Sequence, residues 1–197
     1  MKKKHMTGVL FFVIGILLFL MIGEKKTSAE IENDLKENVI RFHVRANSDS
    51  RLDQQNKLKV RDAVIDYISP YMEKAGTKEE AMKILKQKKG GIQKTAEETL
   101  RRLGDCKKIN VHFTTEKFPK KTYGTYTFPE GIYDAVRVDV GNAKGHNWWC
   151  VMFPDLCITK DDAVKINKDA RKKMEHLLGE KTVNHLETNR YLQWLWK

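Results

Sequence analysis

The chain has 197 residues and a mass of 23.0 kDa, with 41% hydrophobic and 32% charged residues; that is enough to bury a core and too apolar for wholesale disorder. Three cysteines exclude a disulfide-dense scaffold and a four-cysteine zinc site. A formal charge of +11 and a pI of about 9.5 favour contact with anionic surfaces such as lipid head groups or wall polymers.

The N-terminus places Lys2, Lys3 and Lys4 before an apolar run from Val9 to Ile22, followed by small residues at Thr27 and Ala29. A basic start, a short apolar run and small residues read as a secretory signal cut after Ala29, with an uncleaved membrane anchor as the alternative. Either way the rest of the chain is expected to cross the membrane, which argues against nucleic acid as a partner. Residues 1–29 carry +4, so +7 remains on the exported part. The expected organisation is a signal over 1–29, a folded domain over 30–159 and a basic tail over 160–197.

Residues 38–46 alternate, with Ile40, Phe42 and Val44 on one face and Arg41, His43 and Arg45 on the other, which predicts a half-buried strand. The run Asn47-Ser48-Asp49-Ser50 ends that strand and offers helix caps. Leu58, Val60, Val64, Ile65 and Ile68 form a helical stripe that Pro70 ends or kinks. Thr77 with Glu80 makes a capping box for a second helix, which Gly90-Gly91 breaks. Ile92, Ala96, Leu100 and Leu103 mark a third helix, closed by Gly104.

Beyond Gly104 the period changes from 3.6 to 2. Ile109 to Phe113, Tyr123 to Phe128 and Tyr133 to Val140 alternate, Pro129-Glu130-Gly131 is a turn, and Trp148 to Phe153 is an apolar run ended by Pro154. The predicted fold class is α+β: a mostly antiparallel sheet of four to five strands, about three helices packed on one face, and a helical C-terminal tail. That tail has a moderate apolar stripe at Val164, Ala170, Met174, Leu177 and Leu178. Its aromatic end, Tyr191 to Trp196, suits packing, a partner or a membrane interface.

Candidate chemistry concentrates between Gly141 and Cys157. Trp148 and Trp149 must point to opposite faces of a strand. Cys150 with His146, His43 and Asn147 supplies the residue types of a thiol protease. An apolar strand raises a thiol pKa, however, where a nucleophile needs it lowered. Cys150 and Cys157 flank Pro154 and could be bridged, leaving Cys106 unpaired; three reduced thiols are the equal alternative. The histidines show no HxxxH or HxH pair, and no phosphate-binding glycine loop or GxSxG occurs, so no metal or cofactor is expected. Arg41, His43 and Arg45, followed by Asn47, Ser48, Asp49 and Ser50, read either as a solvated strand face feeding a helix cap or as a surface that recognises a partner's carboxylate. Arg61, Asp62 and Arg137 join that surface if their elements pack alongside.

Two stretches carry a family resemblance: Val39-Ile40-Arg41-Phe42-His43-Val44-Arg45-Ala46-Asn47-Ser48-Asp49-Ser50 with Asp53-Gln54 and Leu58 to Val64, and Gly131-Ile132-Tyr133 with Ala135 to Val138 and Gly145-His146-Asn147-Trp148-Trp149-Cys150-Val151. Together with Phe153-Pro154 and Leu156-Cys157 they resemble the stage II sporulation protein R family over about residues 38–158. Arg45 and Asp155 depart from the pattern, where an apolar residue and a second proline are expected. The resemblance implies a signalling protein made in the forespore and secreted into the space between forespore and mother cell. There it would activate a membrane-embedded aspartic-type protease that processes the sigma-E precursor. The family brings no agreed catalytic residues. The expected partner-binding surface therefore combines the two signatures: Arg41, His43, Asn47, Asp49, Arg137, His146, Asn147, Trp148 and Trp149. The rival expectation is an envelope hydrolase using Cys150 and His146, and a weaker one is a module binding anionic lipid or wall.

Overall fold

The structure is a computed structural model and describes residues 28–154, 156, 157 and 168–187. The N-terminal apolar run expected to be an export signal and the aromatic C-terminal end lie outside these residues. Helix α1 (Ser28–Asn38) leads into strand β1 (Ile40–Arg45). Three helices follow, α2 (Arg51–Met72), α3 (Lys78–Gln87) and α4 (Lys89–Arg102), then β2 (Ile109–Phe118). A hairpin of β3 (Lys121–Tyr123) and β4 (Tyr126–Phe128) precedes the long β5 (Gly131–Val140) and β6 (Asn147–Phe153), and α5 (Lys168–Leu178) and α6 (Glu180–Leu186) complete the described chain.

Local chemistry explains most boundaries. The Ser50 side chain accepts from the Asp53 amide to cap α2, and Thr77 accepts from Glu80 to cap α3. Pro70 does not end α2, which runs two residues further to Met72. Nor does the pair Gly90-Gly91 mark the break between the next two helices: it falls at Lys88, and both glycines lie in the first turn of α4. Gly91 is there for space, since a Cβ would come 1.9 Å from the Tyr67 hydroxyl. Gly104, with φ +75°, closes the third helix as expected.

The sheet is mixed, in the order β2-β5-β1-β6. The β2–β5 and β1–β6 pairs are antiparallel, whereas β1 and β5 are parallel neighbours. One face carries Phe42, Val44, Val136, Val138 and Met152, which pack on Val60, Ile68, Leu85, Ile92 and Leu100 of α2–α4. The other face carries Phe118, Tyr133, Ala135 and Val151. These are covered by Ile31 and Leu35 of α1, Tyr126 and Phe128 of the hairpin, and Met174, Leu178, Val183 and Leu186 of α5 and α6. Half of the sheet is therefore sandwiched, with β1 at its centre.

This second layer corrects one expectation. Strand β1 is not half-buried: Arg41 is 0% exposed and His43 is 1% exposed. The alternation of polar and apolar residues is real, but Arg41 meets aromatic rings of β2, β5 and the hairpin, and His43 those of β2 and β6, instead of water.

At the end of β6 the chain turns at Pro154, after a cis peptide bond, and Cys150 and Cys157 are joined as a disulfide with Cα atoms 5.7 Å apart. Cys106 is free and exposed. Closing a loop this short restricts the unfolded chain by about 2.5 kcal/mol. Cys157→Ser is thus expected to lower the stability measured by denaturant titration by about that amount, and reducing agent should have no further effect on the variant.

Candidate functional site

Among the described residues the covering layer stops short of one end of the sheet. Cross-strand register builds two polar rows on the open part. His112, Arg137, His43 and Trp149 stand side by side across β2, β5, β1 and β6, and the next row is Asn110, Asp139, Arg45 and Asn147. The rows are bound by charge. Arg45 donates two bonds to Asp139, at 2.6 and 2.8 Å, the bidentate geometry that suits guanidinium and carboxylate. Arg137 lies 3.2 Å from Asp139 and 3.5 Å from Glu116, and His112 lies 3.4 Å from Asp139.

His43 is locked from three sides. It stacks on Trp149 with ring centres 4.7 Å apart, meets Phe118 edge-on, and donates from Nε2 to Glu116 at 3.0 Å. Burial lowers its pKa, an effect that Glu116 only partly offsets. Burial also pushes the Glu116 carboxyl up, but bonding from Thr114 and the nearby His43 and Arg137 more than compensate, so it stays below its ordinary value. Burial thus favours the neutral imidazole, while its neighbours favour the ionised form of Glu116.

Arg41, one row further in, lies among four aromatic rings. Its guanidinium carbon is 4.9 Å from the centre of Phe118, 5.2 Å from Tyr133, 5.5 Å from Phe128 and 5.7 Å from Tyr123. Nη2 donates to the Tyr123 hydroxyl at 3.1 Å, while Nε and Nη1 are buried without a hydrogen-bond partner. Arg41 does not reach the surface and cannot touch a partner in this conformation.

The two family-like signatures meet at the end of these rows. The loop after β1 and the loop before β6 form a clasp. Asn47 accepts from the Asn142 amide, and Gly145 donates to the Ala46 carbonyl. Asp49 accepts from both the His146 amide and its ring. Lys57, reaching up from α2, donates to Gln54 at 2.6 Å and to the His146 carbonyl at 3.1 Å. Beneath them Asp53 accepts from Asn47 and Ser48 and pairs with Lys107. The hydrogen bonds from Asn47 and Ser48 hold the Asp53 carboxyl at a pKa of about 2. Asn47 is thus first a structural residue, whereas His146, 82% exposed, and Asp49, 54% exposed, remain accessible on the clasp.

The structure therefore brings Arg137, Asn147, Trp149 and His43 together on one face, with His146 and Asp49 at its edge. Arg41 sits beneath it. Trp148 points the other way, edge-on to Phe42 and under the Arg61 guanidinium at 4.7 Å, so Arg61 belongs to the opposite side of the sheet. Cys150 is bound to Cys157 and has no thiolate to offer. Sequence reading missed His112, Glu116 and Asp139. Their even spacing from the polar positions of β2 and β5 was visible, but the parallel pairing that aligns them with His43 was not.

The family model described as stage II sporulation protein R matches residues 36–163. Stage II sporulation protein R of Bacillus subtilis (strain 168) is 34% identical over 191 residues, which covers 92% of this chain and 85% of that protein. No solved structure matches.

Proposed function

The chain belongs to the stage II sporulation protein R family, and on that premise we propose that it is an exported signal that activates a membrane-embedded aspartic-type protease, which then processes the sigma-E precursor in the mother cell. The observation that carries this reading is the open polar face, continuous with the clasp: Arg45, His112, Glu116, Arg137 and Trp149 are partly exposed yet held rigidly by ion pairs and stacking. A surface fixed before encounter loses little freedom on docking, which suits recognition. To activate, it must bind the active state of the protease better than the inactive one. A bridge between Cys150 and Cys157 supports export, because disulfides persist outside reducing cytoplasm.

The test is co-expression of the full chain with the protease and the sigma precursor in a non-sporulating host. Precursor cleavage is expected only when this chain is present. Arg45→Gln combined with Arg137→Gln is expected to reduce cleavage at least tenfold while circular dichroism stays native. Wild-type cleavage by that variant would remove the sheet face from the contact surface.

A further inference from the structure

One stretch of the described chain carries charge of a single sign. From Lys83 to Lys94 there are five lysines, no arginine and no acidic residue. In their midst is the elbow at Lys88, where α3 ends and α4 begins. Lys83, Lys86, Lys89 and Lys94 are exposed, and Lys88 lies over the Tyr71 ring at 4.0 Å.

This placement goes against helix electrostatics. The first turn of a helix is the positive end of its dipole and favours an acidic side chain or a polar cap. The first turn of α4 has no acidic residue, no side chain caps it, and it begins with Lys89. A local rule broken in this way is answered when an anion outside the molecule meets the charge. The use of lysine alone is also informative. Arginine is a fork suited to directed pairing, as in Arg45 and Arg137 on the polar face, whereas lysine is a point charge on a flexible stem. Unfixed point charges at a bend suit an anionic surface that is spread out and fluid.

Beside the elbow is a cleft of about 540 Å³, lined by Met82, Lys83 and Lys86. Of its two acids, Glu79 and Asp134, the second is paired with Lys78 at 2.8 Å. The two exposed lysines therefore flank a partly apolar hollow, which suits a head group and the first carbons behind it.

We propose that the α3–α4 elbow is a seat for an anionic phospholipid surface, with its lysines among the head groups. The elbow adjoins the far end of α2, since Gly91 lies against Tyr67 and Lys88 against Tyr71. The clasp adjoins the start of α2 at Ser50. At 1.5 Å per residue, the run from Arg51 to Tyr71 separates the two by about 30 Å. Lipid at the elbow thus leaves the clasp and the polar face uncovered, and the seat does not depend on the docking reading.

The test is a lysine footprint of the full chain, in which acylation by a water-soluble reagent is read by mass spectrometry. Vesicles of equal parts phosphatidylcholine and phosphatidylglycerol are compared with vesicles of phosphatidylcholine alone. Any partition of the N-terminal apolar run is common to both. Acylation of Lys83, Lys86 and Lys89 is expected to slow at least fivefold on the anionic vesicles only, while Lys144 on the clasp loop keeps its rate. Salt near 1 M, which shortens the screening length to about 3 Å, is expected to abolish the protection. Equal protection on both vesicles, none on either, or protection of Lys144 to the same degree overturns the proposal. Protection by soluble polyphosphate but not by vesicles would assign the elbow to a polymer and overturn it too. Each of Lys83→Gln, Lys86→Gln and Lys89→Gln is expected to weaken binding to the anionic vesicles about fivefold relative to wild type, the contribution of one lysine near such a surface. A triple variant with native circular dichroism and wild-type binding would show that the elbow is not the seat.

Discussion

Asp53→Ala is expected to lower stability by about 3 kcal/mol, or roughly 10 °C in melting temperature. The carboxylate is 6% exposed and accepts from Asn47 Nδ2 at 2.8 Å and from the Ser48 hydroxyl at 2.5 Å, while Lys107 lies 3.2 Å away. Removing it leaves two donors of the β1–α2 loop without their acceptor, and the loop is what presents Asp49 to His146. The same residue sets an acid limit. Its folded pKa of about 2 lies below the ordinary 3.8, so as pH falls the unfolded chain takes up the proton first. The stabilisation is complete above about pH 4 and disappears as pH falls through 2. Denaturant titrations between pH 5 and 2 should show this loss in the wild type and a flatter profile in Asp53→Asn. Parallel profiles would mean that Asp53 is not the titrating group.

Gly145→Ala is expected to be similarly severe, at about 3 kcal/mol, although it adds a single methyl group. A Cβ there would lie 2.2 Å from the Ser48 carbonyl oxygen and 2.5 Å from its carbon. Both are backbone atoms, so the two loops must separate, and the bond from Gly145 to Ala46 goes with them. Gly90→Ala is the control. A Cβ at Gly90 meets nothing within 4 Å and lies in a helix, so that substitution is expected to stabilise by about 0.5 kcal/mol. Thermal unfolding of the pair, with amide exchange at His146, measures whether the clasp is held by close backbone approach. Equal melting temperatures would exclude it.

Much of this architecture was legible in the sequence. Ser50 and Thr77 announced the caps of α2 and α3, and the change of period after Gly104 announced the sheet. Opposite directions for Trp148 and Trp149 followed from strand geometry alone, and Arg137 was named as a neighbour of the β1 polar face. The burial of that face was not legible. Arg41 and His43 look solvated because burial of a polar strand face depends on what covers it. The cover comes from Tyr123, Phe128 and Met174, up to 133 positions away in sequence. Met174 and Leu178 carried only a modest stripe among lysines, since a helix that caps a half-covered sheet buries one narrow edge. The clasp was not legible, because nothing in Asn47 or Gly145 names the other as its partner.

The placement of β1 also sets a timetable. It is the first strand made, yet its Arg45 finds Asp139 across 94 residues, and β6 comes later still. At 5–20 residues per second, synthesis of that interval takes roughly 5–20 s. During that time the strand at the middle of the finished sheet has no neighbour. Helices α2–α4 can form meanwhile, but the Arg45–Asp139 pair waits for residue 139 and the clasp for residue 146, and Asn147 and Trp149 join their rows last. A chain interrupted before β5 therefore displays neither the Arg45–Asp139 pair nor the clasp, and the complete rows certify that the chain has been delivered through β6.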